Sequence, residues 1–393
     1  VAAAAIDTRR GRLAKSPHDE GFSLFLAALR QPAVNFDLRT SKSVLWVFHG
    51  GMMRPTVHDI AAAAGVSLAT VDRVLNQRPG VREVTRLRVE DAIRTIGYVR
   101  DVAAANLAKG RIYPLVFLLP TSDNSFMHGL HAEVRQASAR AGVERTDIRI
   151  VEIPPFDPAA LVAALERLAG DPPSGVALVA TDAPEVRAAV DLLVAARVPV
   201  VTLVSDLTGS MRHHFAGIDN IAAGRTAARL LGRFLGPSEG EVLVLAGSML
   251  VRDHRERLEG FSAVMAEEFP KISLLPALEG RDDPELARTL VFDALSKNGR
   301  IIGIYSLGAG NRGLIRALKA AGREQDLTVI AHELTEHTRA ALKDGTIDAI
   351  LNQDAGHEVR SAVRVLKAKA DGLDVIAGQE RIRLDIFLKD NLP

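Results

Sequence analysis

The residues best placed to do chemistry are three glycines late in the chain. Gly308-Ala309-Gly310-Asn311-Arg312-Gly313 spells G-x-G-x-x-G. Between a strand and a helix, such a run lets backbone amides approach a pyrophosphate. Both flanks read that way, and Glu333 stands 20 residues beyond Gly313, where an acid could meet a ribose hydroxyl. The chemistry would be NAD-dependent hydride transfer. Against it, too little chain follows for a complete second mononucleotide half. No Ser/His/Asp order, H-E-x-x-H run or P-loop accompanies it. The chain has no cysteine, which excludes a thiol nucleophile and a Cys-ligated zinc. Its 11 histidines are scattered, and His213, His214 and His332 suit turns or a cleft better than a metal. No catalytic residue, metal or cofactor is therefore expected, and the oxidoreductase stands as an alternative only.

A second constellation is basic. Residues 54–111 hold ten Lys/Arg against six Asp/Glu, a net of +4, in a chain whose total is +1. That is the local footprint of a phosphate-binding module, which an average hides. Thr56 can cap a helix with Val57, Ile60, Ala61 and Ala64 on one face, and Gly65 ends it. Ser67 caps a second helix with Val71, Val74 and Leu75 inward. A third spans 85–96, with Leu87, Val89, Ala92, Ile93 and Ile96 apolar, and Gly97 closes it. Two short helices across a Gly turn, covered by a third, make the helix-turn-helix plan.

These residues carry a resemblance. Thr56-Val57-His58-Asp59-Ile60-Ala61, Ala64-Gly65-Val66-Ser67 and Thr70-Val71-Asp72-Arg73-Val74-Leu75-Asn76 resemble the headpiece of LacI/GalR bacterial repressors. The match continues from Thr85-Arg86 to Gly97-Tyr98. The resemblance implies that the second helix enters the major groove. Leu68, Ala69 and Arg73 would then face base edges, Arg73 being able to pair bidentately with guanine. Ser67, Thr70, Asn76, Thr85 and Arg86 would hold phosphates and fix register. Asp72 stands where the family usually has Ser. The run 101–110 is similar to the family's hinge helix, with Leu107 matching a leucine wedged into the minor groove. Arg100 replaces the usual Pro.

Beyond residue 112, apolar β-branched runs alternate with amphipathic stretches. Strands are expected at 114–119, 147–153, 175–179, 199–203, 241–246, 272–275, 301–305, 328–331 and 349–351. Helices are expected at 126–141, 159–169, 184–196, 222–235, 258–268, 284–297, 313–321 and 335–344. This alternation predicts an α/β body of two doubly wound parallel sheets, with ligands at the carboxyl ends of the strands. Phe215-Ala216-Gly217-Ile218-Asp219-Asn220 with Ala223-Gly224-Arg225, and Arg255-Glu256-Arg257-Leu258-Glu259-Gly260-Phe261, resemble the effector domain of the same family. That domain is similar to periplasmic sugar-binding proteins of the two-lobed, type I form. Matching positions are Asn124, Phe126, Ser205, Asp206, Asp219, Arg255, Asn311, Glu333 and Gln353, foremost Arg255, Asp219 and Glu333. Carboxylates and amides around one aromatic platform suit a sugar or polyol, since each carboxylate accepts from two hydroxyls.

The organisation expected is thus a disordered or non-native extension at 1–52, a helix-turn-helix headpiece at 53–99, a hinge at 100–111 and a two-lobed effector-binding and dimerisation body at 112–393. With 393 residues and 47% hydrophobic content, a disordered chain is excluded. No apolar run approaches the roughly 18 residues that span a bilayer, so no membrane partner is expected. Together these features predict a cytoplasmic, homodimeric, ligand-responsive regulator, a repressor, with operator DNA and a small sugar or polyol as partners. A solute receptor for transport is the other alternative.

Overall fold

The computed structural model describes residues 54–99, 106, 110–121 and 123–393. Expectations for residues 1–52, for Leu107 and for the stretch 100–105 fall outside them. The chain divides between Arg100 and Asp101 into two compact units.

The first unit holds α1 (Val57–Ala64), α2 (Leu68–Leu75) and α3 (Glu83–Ile96). At the start of α1, the Thr56 amide and hydroxyl both donate to Asp59 Oδ2, at 2.7 and 2.8 Å. Ser67 Oγ accepts from the Thr70 amide at the head of α2. Ile60, Val71 and Val89, one from each helix, are fully buried and form the centre of this small core. The third helix starts two residues before its expected limit, and Leu87 lies outside its buried face, 55% exposed.

The second unit contains two sheets. The first is built from β1 (Tyr113–Pro120), β2 (Thr146–Ile153), β3 (Gly175–Leu178), β4 (Val200–Leu203) and β5 (His214–Ala216). Their order is β2-β1-β3-β4-β5, all parallel. The helices between them are α4 (Ser125–Ala139), α5 (Ala141–Glu144), α6 (Pro158–Gly170) and α7 (Pro184–Ala195). Pro158 and Pro184 sit in first helical turns, where a missing N–H costs nothing.

The second sheet holds β6 (Gly240–Ala246), β7 (Ile272–Leu274), β8 (Leu278–Glu279), β9 (Ile301–Ser306), β10 (Thr328–His332), β11 (Ala349–Gln353) and β12 (Leu384–Phe387). The order is β12-β11-β10-β9-β6-β7, with β8 beside β6 and β12 antiparallel. Its helices are α8 (Asn220–Leu235), α9 (Arg252–Glu268), α10 (Pro284–Lys297), α11 (Asn311–Ala321) and α12 (Glu336–Asp344). All nine expected strands are present. The short β5, β8 and β12 were not expected.

The chain crosses between lobes after β5 and again after β11. The second crossing delivers α13 (Ala355–Ala370), absent from the expected helices, to the first lobe. There Val359, Ala362, Val363 and Leu366 join the core of β1, β3 and β4. Helices α8 and α9 touch backbone to backbone. A Cβ on Gly224 would stand 2.0 Å from the Arg257 carbonyl oxygen, and one on Gly260 2.1 Å from that of Ile221. Only glycine permits this approach. It also places Arg257 deep in the molecule.

Candidate functional site

In the headpiece, Leu68, Ala69 and Arg73 are exposed on α2, opposite buried Val71. Positions 68, 69, 72, 73 and 76 share a face by helical spacing. Arg73 has no partner among the described residues. Thr70, Asn76, Thr85 and Arg86 are half-buried, and Arg86 lies 3.9 Å from Glu83. The departure at Asp72 has a local use. Its carboxylate accepts from Asn76 Nδ2 at 2.7 Å and from Arg78 Nη1 at 3.2 Å. Its charge is thereby matched within the module, and Asn76 is held at the end of α2.

In the body, strand ends of both lobes meet around a cavity of about 60 Å³. Asn124, Thr181, Ser205, Asp253, His254 and Asp282 supply its polar wall. That volume accommodates only a few waters, so a sugar requires the lobes to part. Polar ties span the cleft. Asn124 Nδ2 donates to Asp282 Oδ1 at 3.2 Å, and the Arg252 amide donates to Ser205 Oγ at 3.1 Å. Arg255 bonds Asp182 of the first lobe and the Met249 carbonyl.

Three residues lining this cavity have left-handed backbone: Phe156 (φ 56°), Val204 (φ 61°) and Asp282 (φ 60°). Glu333 is a fourth nearby residue in that region, at φ 72°. For a β-branched residue such as Val204 this is a true outlier. Strain of about 1–3 kcal/mol per residue persists where surrounding structure imposes it, and it concentrates at binding sites.

Behind the cavity lies a buried polar cluster. Arg257 is 1% exposed; its Nε donates to Asn220 Oδ1 (2.9 Å) and its Nη1 to the Leu307 carbonyl (2.6 Å). Nη1 also stands 3.5 Å from Glu333 Oε1, which accepts from Gln353 Nε2 at 2.9 Å. Burial pushes the Glu333 carboxyl up to about 7, against the pull of Arg257 and Gln353. His332 beside it donates or accepts at Tyr305 Oη (2.9 Å), and burial holds its ring well below the ordinary histidine range. Glu358, on α13, is fully buried, with neither carboxylate oxygen partnered among the described residues. Burial, reinforced by Glu333, raises its pKa well above the usual range.

The anticipated residues divide into groups. Asn124 and Ser205 line the cavity, Glu333 pairs with Gln353 behind it, and Arg255 bridges to Asp182. Asn311 is turned inward, accepting from Ser306 Oγ at 2.6 Å and donating to the His332 carbonyl at 2.8 Å. Phe126 packs in the first lobe's core and, with Asn124 and Asn311, lines an adjoining pocket between the lobes, while Phe156 is the ring on the wall of the first cavity. Two of the acids stand elsewhere. Asp206 is clamped by Arg212, which holds its carboxyl below the usual range although burial opposes this. Asp219 is exposed and caps α8 through the Ala222 amide at 2.9 Å. Neither lines the cavity. Thr181, Asp182, Asp253, His254, Asp282 and Glu358 were not anticipated. Thr181 and Asp182 follow β3, so the strand-end rule could have found them.

The glycine run is occupied by packing. A Cβ on Gly308 would meet Arg257 Nη1 at 2.8 Å, and one on Gly313 would meet the Pro284 carbonyl oxygen at 2.2 Å. The close approaches that a pyrophosphate needs are taken by the protein itself.

A small helix-turn-helix unit and a two-lobed α/β body with an interlobe cavity define a ligand-binding protein fused to a nucleic-acid-binding headpiece. Residues 56–101 match the bacterial regulatory proteins of the lacI family, and residues 115–374 match the periplasmic binding protein domain. The chain belongs to the LacI family of bacterial regulatory proteins, with a periplasmic-binding-protein-like body. It is a regulator's architecture, and the oxidoreductase alternative falls away. The uncharacterized HTH-type transcriptional regulator YkvZ of Bacillus subtilis is 39% identical over 87 residues, 22% of this chain and 27% of that protein. The HTH-type transcriptional regulator AglR of Rhizobium meliloti is 31% identical over 185 residues, 46% of this chain and 49% of that one. The chain thus spans between about a quarter and a half of the length of these curated relatives. In fold, the body is similar to GanP, a glucose-galactose binding protein from Geobacillus stearothermophilus. The TM-score is 0.64 at 20% identity, over 72% of this chain and 99% of that one.

Proposed function

We propose that this protein is a cytoplasmic, DNA-binding transcription regulator, a repressor, whose operator affinity responds to a small sugar or polyol. The observation that carries the reading is the exposed face of α2, with Leu68, Ala69 and an Arg73 unpartnered among the described residues, in the same chain as a binding-protein body. Arg73 and Leu68 read bases, the first pairing with guanine and the second touching a thymine methyl. Ser67, Thr70, Asn76, Thr85 and Arg86 hold phosphates, and Leu107 enters the minor groove. Two chains pair through their bodies, so that two headpieces meet a near-palindromic site.

The effector enters as the lobes part and sits against Asn124 and Ser205, with the Arg255 bridge to Asp182 beside them. Asn311, Glu333 and Gln353 stand behind them as the scaffold of the second lobe, Phe126 as that of the first. That GanP, of similar fold, is a glucose-galactose binding protein supports the ligand class. Asp206 and Asp219 position the first lobe's strand ends and the crossover. Selection from a random duplex library with the full chain tests the DNA reading. Enrichment of a two-fold symmetric sequence, lost with Arg73→Ala, is expected. No enriched sequence would refute it.

A further inference from the structure

The interlobe cavity carries an uneven charge. Its wall includes Asp253 and Asp282, and no Lys or Arg is among the described residues lining it. Asp253 is 5% exposed, and its Oδ1 is buried without a hydrogen-bond partner among the described residues. Its Oδ2 lies 3.8 Å from His254 Nε2, beyond hydrogen-bond range.

The neighbouring cations are committed elsewhere. Arg257, one turn further along α9, serves Asn220, Leu307 and Glu333. Arg252 and Arg255 serve Glu256 and Asp182. Arg281 is exposed and lines an outer groove that adjoins the cavity at Pro155 and Asp282, and Arg312 and Arg316 on the same groove pair with Asp123 and Glu285. Leaving a buried carboxylate uncompensated is costly, and a neutral hydroxyl can donate to it without supplying charge. An ammonium brings three donors and the missing charge together.

We propose that the effector is an amino sugar: a polyhydroxylated frame bearing a protonated primary amine, seated at Asp253 Oδ1 on the wall shared with Asp282. Thr181, Ser205 and Asn124 remain for its hydroxyls. The inference rests on the cavity being the effector site and adds the charge of the ligand.

Calorimetry at pH 7 on the full chain tests it. The probes are glucosamine, galactosamine and mannosamine, each beside its neutral hexose and its N-acetyl derivative. At least one amine should bind ten-fold or more tightly than both of its neutral counterparts. Asp253→Asn should erase that preference, so that within the variant the amine binds no more tightly than its neutral hexose. In the unaltered chain, where folding is not in question, the preference should also shrink as salt rises. A neutral hexose bound as well as its amine overturns the amine and leaves the sugar reading standing. No binding by any of the nine overturns both.

Discussion

Asn124 in the first lobe donates from Nδ2 to Asp282 Oδ1 in the second, across 3.2 Å, while its Oδ1 accepts from the Phe126 amide at 2.8 Å. One side chain thus caps α4 and ties the lobes at the cavity wall. Asn124→Ala should destabilise the body by about 1–2 kcal/mol, the worth of a lost cap plus a lost hydrogen bond. Asn124→Asp should keep the cap but set a second carboxylate against Asp282, loosening closure. Urea unfolding measures the first effect, and small-angle scattering of the two variants the second.

The buried carboxyls make stability depend on pH. Glu333 holds its proton to about 7 in the folded chain, whereas the ordinary value is 4.5. Between those limits the unfolded chain releases a proton that the folded chain keeps, so stability falls as pH rises from about 4.5 through 7. The loss from Glu333 is on the order of 3 kcal/mol. Glu358, with its pKa also raised, adds to the same trend. Glu358→Gln removes one of the two acids and should flatten the decline. His332, held well below the histidine range, acts the other way up to about pH 6.5. Thermal midpoints of the parent and of Glu358→Gln are therefore compared from pH 5 to 8, and equal slopes in the two would contradict the assignment.

Helix α13 connects the cavity region to the start of the body. Glu358 lies in its first turn. Beyond its last turn Asp371 accepts from Arg111 Nη1 at 2.8 Å and from Tyr113 Oη at 2.7 Å. Arg111 is the last residue of the expected hinge. A helix of this length is rigid over about 24 Å, so a lobe movement at its head is carried to the residues that leave for the headpiece. Asp371→Ala should leave DNA affinity without effector close to the parent's. It should reduce the effector's influence on that affinity several-fold. Fluorescence anisotropy with labelled duplex, with and without sugar, measures both.

Much of the fold was legible because buried parallel strands are continuous apolar runs. Val200 to Leu203 are all fully buried, and every one of them is hydrophobic or Thr. His214–Ala216, Leu278–Glu279 and Leu384–Phe387 escaped because they are short pieces at or near sheet edges, half-exposed and without such a run. The site was less legible. Asp206, Asp219 and Asp282 are all acids shortly after strands, yet only the first two were expected in the site. One clamps an arginine, one caps a helix and one lines the cavity. What separates them is tertiary geometry, which carries no local signal. The expected start of α9 at 258 left out 252–257, because Arg252 to Arg257 are polar and look exposed. In the structure Asp253, His254 and Arg257 are buried; the first two line the cavity and Arg257 anchors the cluster behind it.

The central claim is that ligand in the cavity and DNA at the headpiece are energetically coupled. The most direct measurement is the affinity of the full chain for its selected duplex, with and without a saturating sugar that calorimetry has shown to bind. Coupled sites typically exchange about 1–3 kcal/mol. The account therefore predicts at least a five-fold change in dissociation constant. An affinity that stays the same while the sugar is bound would contradict it.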